Sequence, residues 1–151
     1  MSLHPASQAI KEWVLSFHAE LDGFSTTNLE KLCTDDASMS LGNNPLLVGI
    51  EAITAYFASV FPLLSSMKHE TISLDVIGNK VCQFGYIEYV VKDDPQNRTI
   101  KIPAMGVFHF VPEADFESGE PLLKHFDEFL DSSEVSEIIG EVQKLKSEGA
   151  L

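Results

Sequence analysis

Residues 29–69 read Leu29-Glu30-Lys31-Leu32-Cys33, then Thr34-Asp35-Asp36-Ala37-Ser38-Met39, then a Gly42-Asn43-Asn44-Pro45 turn. Val48-Gly49-Ile50-Glu51-Ala52-Ile53 opens the next segment, and Met67-Lys68-His69 closes the stretch. Thr27 and Glu30 have capping-box spacing, so a short amphipathic helix is expected to open it. Residues 37–41 then suit a short strand, closed by the Gly-Asn-Asn-Pro turn. Ile50, Ile53, Phe57, Val60, Phe61 and Leu64 fall on one helical face. This predicts a longer helix to about Leu64, with Pro62 at its fraying end. Met67 begins a strand.

Outward from this stretch the pattern stays regular. Ala6, Ile10, Trp13, Val14, Phe17 and Leu21 recur at three- and four-residue steps, which predicts an N-terminal helix. Pro5 suits its first turn and Gly23 its end. Downstream, 67–77, 80–92, 99–111 and 122–130 are rich in Val, Ile, Phe and Tyr and read as strands. Gly78-Asn79 is a two-residue hairpin turn, Asp93 to Asn97 a second turn, and 113–120 an acidic third loop. Val135, Ile138, Ile139, Val142 and Leu145 form the stripe of a closing helix after Ser132 or Ser133, interrupted by Gly140. Helices on one side of an antiparallel meander make an α+β domain. No linker or repeat divides residues 1–151, so one domain is expected.

Composition narrows the function. At 151 residues a chain buries about 70% of the surface that its unfolded form exposes. Ten Phe, three Tyr and one Trp can line a sizeable apolar interior. The net charge of −13 and scattered basic residues argue against nucleic acid and against an anionic membrane surface. No apolar run is long enough to span a bilayer, and no secretory leader is visible. Cys33 and Cys82 read as free thiols in a reducing cytoplasm. The five His show no tight metal-ligand spacing beyond His125-x-Asp127, so neither a metal nor a cofactor is expected.

The order of elements in 29–69 resembles the SnoaL-like branch of the nuclear transport factor 2-like superfamily, over roughly residues 6–131. The resemblance implies a cone-shaped half-barrel: a strongly curved antiparallel sheet wrapped over the N-terminal helices, here with an added C-terminal helix. It also implies a pocket for a small, largely apolar ligand of polyketide, steroid or terpenoid type, and a homodimer formed through the outer sheet face. Asp22, ending the first helix, and His69 resemble the Asp-His pair of hexachlorocyclohexane dehydrochlorinase and scytalone dehydratase, in which the histidine acts as base. A carboxylate at a helix C-terminus opposes the helix dipole, which hints at a use elsewhere; pairing with His18 on the same helix is the other reading. Asp127 resembles, by strand location, the pocket carboxylates of polyketide cyclases, and completes the catalytic candidates. Trp13, Phe17, Tyr56, Tyr86, Glu88, Met105 and His109 are candidate lining residues.

The register of the first hairpin bears on this choice. Counted without interruption from Gly78-Asn79, it sets His69 opposite Glu88 and Thr71 opposite Tyr86. Ile72, Leu74 and Val76 look like core, yet would then lie on the face opposite His69. A bulge between His69 and Ile72 reconciles the two.

Three departures restrict the activity. Ser40, Leu41 and Gly42 stand where ketosteroid isomerase carries its base. Gln83, Tyr86 and Glu88 stand on the strand where scytalone dehydratase has a second histidine. The only arginine, Arg98, lies in a hairpin tip, away from any Asp-Arg-Asp trio of the limonene epoxide hydrolase kind. Two functions remain expected: a cofactor-independent lyase, isomerase or cyclase, or a non-catalytic ligand-binding or dimerisation module.

Overall fold

The computed structural model describes residues 5–112, Asp115 and 120–151, with side chains from Gln8 onward. Its elements are α1 (Pro5–Asp22), α2 (Leu29–Leu32), β1 (Cys33–Leu41), β2 (Leu47–Val48), α3 (Ile50–Val60), a 3₁₀ turn (Phe61–Leu63), β3 (Leu64–Ile77), β4 (Lys80–Val91), β5 (Thr99–Phe110), β6 (Leu123–Leu130) and α4 (Ser133–Ser147). One sheet carries the six strands in the order β2-β1-β6-β5-β4-β3. Strands β1 and β6 run parallel, and every other neighbouring pair is antiparallel. The sheet is curved and unclosed, an α+β half-barrel of the cone type with a C-terminal helix added.

Helix α1 lies against β3 and α3 against β1. The spacing of α1 explains its burial: Ile10, Trp13, Val14, Phe17 and Leu21 are all core residues, and His18 joins them. Aromatic rings fill the centre. Trp13 stacks on Phe17 at 5.1 Å between ring centroids and meets Phe110 edge-on at 4.9 Å, while Phe108 stacks on Phe126 at 4.4 Å. A Cβ at Gly106 would come within 2.9 Å of the Phe126 ring, so the small residue makes room for that stack.

Several boundaries differ from expectation for local reasons. The capping box does not form: the Asn28 N–H donates to Glu20 Oε1 at 2.9 Å, anchoring α2 to α1 instead. Helix α2 stops after one turn, so β1 begins at Cys33 rather than Ala37. The two-residue β2 was not anticipated. Helix α3 ends at Val60 because Pro62 follows; the chain tightens into the 3₁₀ turn and Leu64 already belongs to β3. Apart from Asp115 and Glu120, the acidic loop 113–120 lies outside the described residues, as does His4.

The hairpin register holds from Ile77↔Lys80 to Ser73↔Phe84 and then slips by one residue. Thr71 faces Gly85 and His69 faces Ile87, which corrects the uninterrupted pairing of His69 with Glu88 and Thr71 with Tyr86. Ile72 is the extra residue of the bulge and is 55% exposed. The bulge presses β3 onto β4, and a Cβ at Gly85 would run into the Glu70 carbonyl. Glycine at 85 therefore permits the bulge.

Helix α4 buries Val135, Ile138 and Val142, and the Ser133 N–H donates to Asp131 Oδ1 at 3.0 Å. Arg98 ties the β4–β5 connection to α4: its guanidinium donates twice to Asp94 at 3.0 Å and once to Glu141 at 2.7 Å. Hydrogen bonds from Arg98 hold the enclosed Asp94 carboxyl well below the usual carboxylate range. Cys33 and Cys82 are unpaired, and burial pushes the Cys33 thiol up to about 12.

Candidate active site

Asp22 ends α1 within reach of β3. Its Oδ2 accepts the backbone N–H of His69 at 2.9 Å, and its Oδ1 lies 2.5 Å from His69 Nδ1. A carboxylate only accepts, so Nδ1 carries the hydrogen and Nε2 keeps a free lone pair. One carboxylate thus fixes both the strand and the ring of His69. Dipole opposition at the helix end is offset by two hydrogen bonds to a charged acceptor.

The other partner considered for Asp22, His18, does not take it. The His18 ring instead stacks on the His69 ring, 4.1 Å between centroids and 23° from parallel. His18 Nε2 lies 2.5 Å from Gln83 Oε1, and Gln83 Nε2 donates to Thr71 Oγ1 at 2.6 Å. His18 Nδ1 is buried and has no hydrogen-bond partner among the described residues, at a cost of about 1–3 kcal/mol. Burial, and behind it the charge that His69 can carry, lowers the His18 pKa from 6.5 to about 3. His18 is therefore a neutral imidazole.

A cavity of about 80 Å³ opens beside His69. Phe17, Leu21, Leu41, Phe57, Val60, Met67 and Phe126 supply apolar walls; Tyr56, Tyr89 and Glu128 supply polar groups, with Asn44 and Ser132 also lining it. No lysine or arginine is among its lining residues. A water needs roughly 10–15 Å³ of such space, so the cavity admits a ligand of a few heavy atoms, or one end of a larger one. The surface left open on Glu128 belongs to the cavity wall. Burial raises its carboxyl above the usual range, with the charge on His69 opposing, and burial likewise pushes up the Tyr56 and Tyr89 phenols. Among the described residues the Glu128 carboxyl has no ion-pair partner.

The remaining sequence candidates divide between core and outer surface. Phe17 and Tyr56 line the cavity, whereas Trp13 packs in the aromatic core away from it. Tyr86 and Glu88 alternate with the inward Ile87 and Tyr89 and face outward, where Lys101 Nζ lies 4.7 Å from the Tyr86 ring centroid and 3.8 Å from Glu88. Met105 is exposed on the same outer face. Asp127 also points outward, not into the cavity. It lies 2.9 Å from His125 Nε2 and 3.4 Å from His109 Nε2, and Ser38 Oγ is 2.7 Å from His125 Nδ1.

Glu128 and Tyr89 are cavity residues that sequence reasoning passed over, and His18 entered it only as an alternative partner of Asp22. His125, Asp127 and Phe129 share one face of β6 by alternation, and that face is the outer, convex one. The signal lay in the apolar neighbours: Phe126 and Leu130 are core by type, and Glu128 sits between them at a two-residue step.

No family profile and no curated protein matches the sequence. Solved structures match well. A protein described as a SnoaL-like polyketide cyclase from Jannaschia sp. CCS1 has a TM-score of 0.73 and 17% identity, covering 92% of this chain and 96% of its own. SalBIII, an epoxide hydrolase/cyclase-like enzyme of pyran ring formation in the polyether salinomycin, has a TM-score of 0.67 and 21% identity, covering 84% and 94%. A hexachlorocyclohexane dehydrochlorinase (LinA) type 2 has a TM-score of 0.66 and 17% identity, covering 83% and 84%. Curved sheet, inner helices and a walled cavity define the class, a cone-shaped pocket protein. Its fold is that of the SnoaL-like, nuclear transport factor 2-like proteins.

Proposed function

We propose that this chain is a cofactor-independent lyase, isomerase or cyclase that acts on a small, uncharged, largely apolar substrate. The observation that carries the reading is the Asp22–His69 contact, which leaves Nε2 free at a walled cavity. In this reading Nε2 takes a proton from carbon next to a carbonyl, and the C–H electron pair moves toward the carbonyl oxygen. Asp22 stabilises the imidazolium that forms. Burial favours the neutral form of the Glu128 carboxyl, and in that form it donates a hydrogen bond to the developing oxyanion. It takes the place expected of Asp127. Activities named for the structural neighbours, a cyclase, an epoxide hydrolase/cyclase-like enzyme and a dehydrochlorinase, are compatible with such a site.

The test is deuterium exchange at the α-carbon of small cyclic ketones in D₂O, followed by proton NMR. The intact chain should accelerate exchange, and His69→Ala should lose roughly 10²–10⁴-fold of that acceleration. Equal exchange by the two proteins would overturn the reading. A second reading, a ligand-binding module without chemistry, is favoured by the small cavity volume of about 80 Å³. It expects no turnover, and ligand affinity unchanged by His69→Ala.

A homodimer through the outer sheet face belongs to the same proposal. Phe84, Met105 and Phe129 are neighbours across β4, β5 and β6 and are 36%, 44% and 62% exposed. Such an exposed apolar row suits a self-complementary interface. Phe129→Glu should shift the chain toward monomer in light scattering; a monomeric unaltered chain would remove the dimer from the proposal.

A further inference from the structure

We propose that His18 is a positioning residue for His69, its imidazole face holding the His69 ring so that Nδ1 stays on Asp22 and Nε2 stays on the cavity. The inference rests on reading His69 as the working group of the site, and adds a residue with no part in proton transfer.

The orientation of His18 is over-determined. Gln83 Nε2 donates to Thr71 Oγ1, so its Oε1 faces His18, and Nε2 of His18 must donate. Turning the Gln83 amide over would move the hydrogen to His18 Nδ1 and bury an orphan N–H, which is rarer than a bare acceptor. Thr71 from β3, Gln83 from β4 and His18 from α1 therefore form one directed chain ending at a ring face. That face lies 4.1 Å from the His69 ring, near parallel. From α1 Asp22 and His18 bear on His69, from β4 Gln83 and Tyr89 lie close by, and from β6 Glu128. Among the described residues only His18 stacks on the ring. Behind the two rings, the void bounded in part by Gly85, Ala104 and Gly106 measures about 10 Å³, and so holds at most one water.

Packing alone does not account for this residue. Phe17, Phe108 and Phe126 fill neighbouring core positions without any polar atom, whereas His18 leaves Nδ1 unpartnered. An unsatisfied buried group needs a reason, and the hydrogen-bonded chain supplies one: Gln83 sets the angle of the His18 ring, which an unanchored aromatic residue could set only through its shape.

Long-range ¹H–¹⁵N spectra of the histidines at pH 7.5 test this without any substrate. The unaltered chain should show one His69 tautomer with a slowly exchanging Nδ1–H. His18→Ala should give mixed tautomers and speed exchange of that proton by roughly tenfold. Gln83→Met keeps His18 but releases it, and should broaden the His69 signals; it decides the matter should His18→Ala not fold. A native tautomer and native exchange rate in folded His18→Ala, or in Gln83→Met, would overturn the proposal. That result would leave His69 as base intact, and failed ketone exchange would not touch these spectra.

Discussion

His18→Phe separates one titration from every other in the molecule. In the native chain His18 stays neutral down to about pH 3, against 6.5 for an ordinary histidine. As pH falls below 6.5 the unfolded chain takes up a proton that the folded chain refuses. The folded state therefore loses stability with falling pH across the window from 6.5 to about 3, at up to about 1.4 kcal/mol per unit. By pH 5.5 the loss is about 1.4 kcal/mol, still above the isoelectric point of about 4.6, where solubility would interfere. Phenylalanine has no such group. It leaves Gln83 Oε1 without its donor, but that penalty is the same at both pH values. Urea unfolding at pH 7.5 and 5.5 should thus show the unaltered chain losing about 1.4 kcal/mol relative to His18→Phe, or roughly 0.7 M in midpoint at an m-value of about 2 kcal/mol/M. A stability difference that stays constant between the two pH values would refute a neutral, buried His18.

Other perturbations follow from the same geometry. Glu128 has a raised pKa, so the folded chain keeps a proton that the unfolded chain releases; Glu128→Gln should gain stability relative to the unaltered chain as pH rises above about 4.5, read by urea midpoints. Arg98→Ala should raise amide exchange over 93–98 and in α4 while leaving β3 unchanged, measured by mass spectrometry. The advantage of the unaltered chain over Arg98→Ala should fade in acid, because a depressed carboxylate stabilises only above its unfolded value and that contribution is lost as pH falls through the folded one. Gly85→Ala should cost about 1–3 kcal/mol through forced backbone movement at Glu70, visible in thermal unfolding.

The fold was legible because its helices and strands announce themselves by period. Ile10 to Leu21 on α1 and Val135 to Val142 on α4 bury what their spacing predicts. Short elements were not, since α2 is held by Glu20 across the chain rather than by its own Thr27 and Glu30. The Asp22–His69 contact could be anticipated from the resemblance to an Asp-His pair, with a carboxylate at the wrong end of a helix as the hint in the residues themselves. Its surroundings could not, because facing on β6 depends on which side of a curved sheet is concave, and Asp127 and Glu128 look alike in sequence. His18 was hidden differently: a polar residue on an apolar helix face reads as chance until Gln83 and Thr71 are seen to hold it.

The bulge at Ile72 makes the site a matter of parity. Residues from Ser73 to Ile77 and residues from Ser66 to Thr71 obey opposite counting rules along one strand. Removing Ile72 alone would restore an uninterrupted register from Ser66 to Ile77 and turn one of the two halves over. If the half nearer α3 yields, Met67, His69 and Thr71 go to the convex side with no site residue altered. A single-codon deletion can therefore take His69 out of the cavity, while most substitutions along the same strand leave its facing intact.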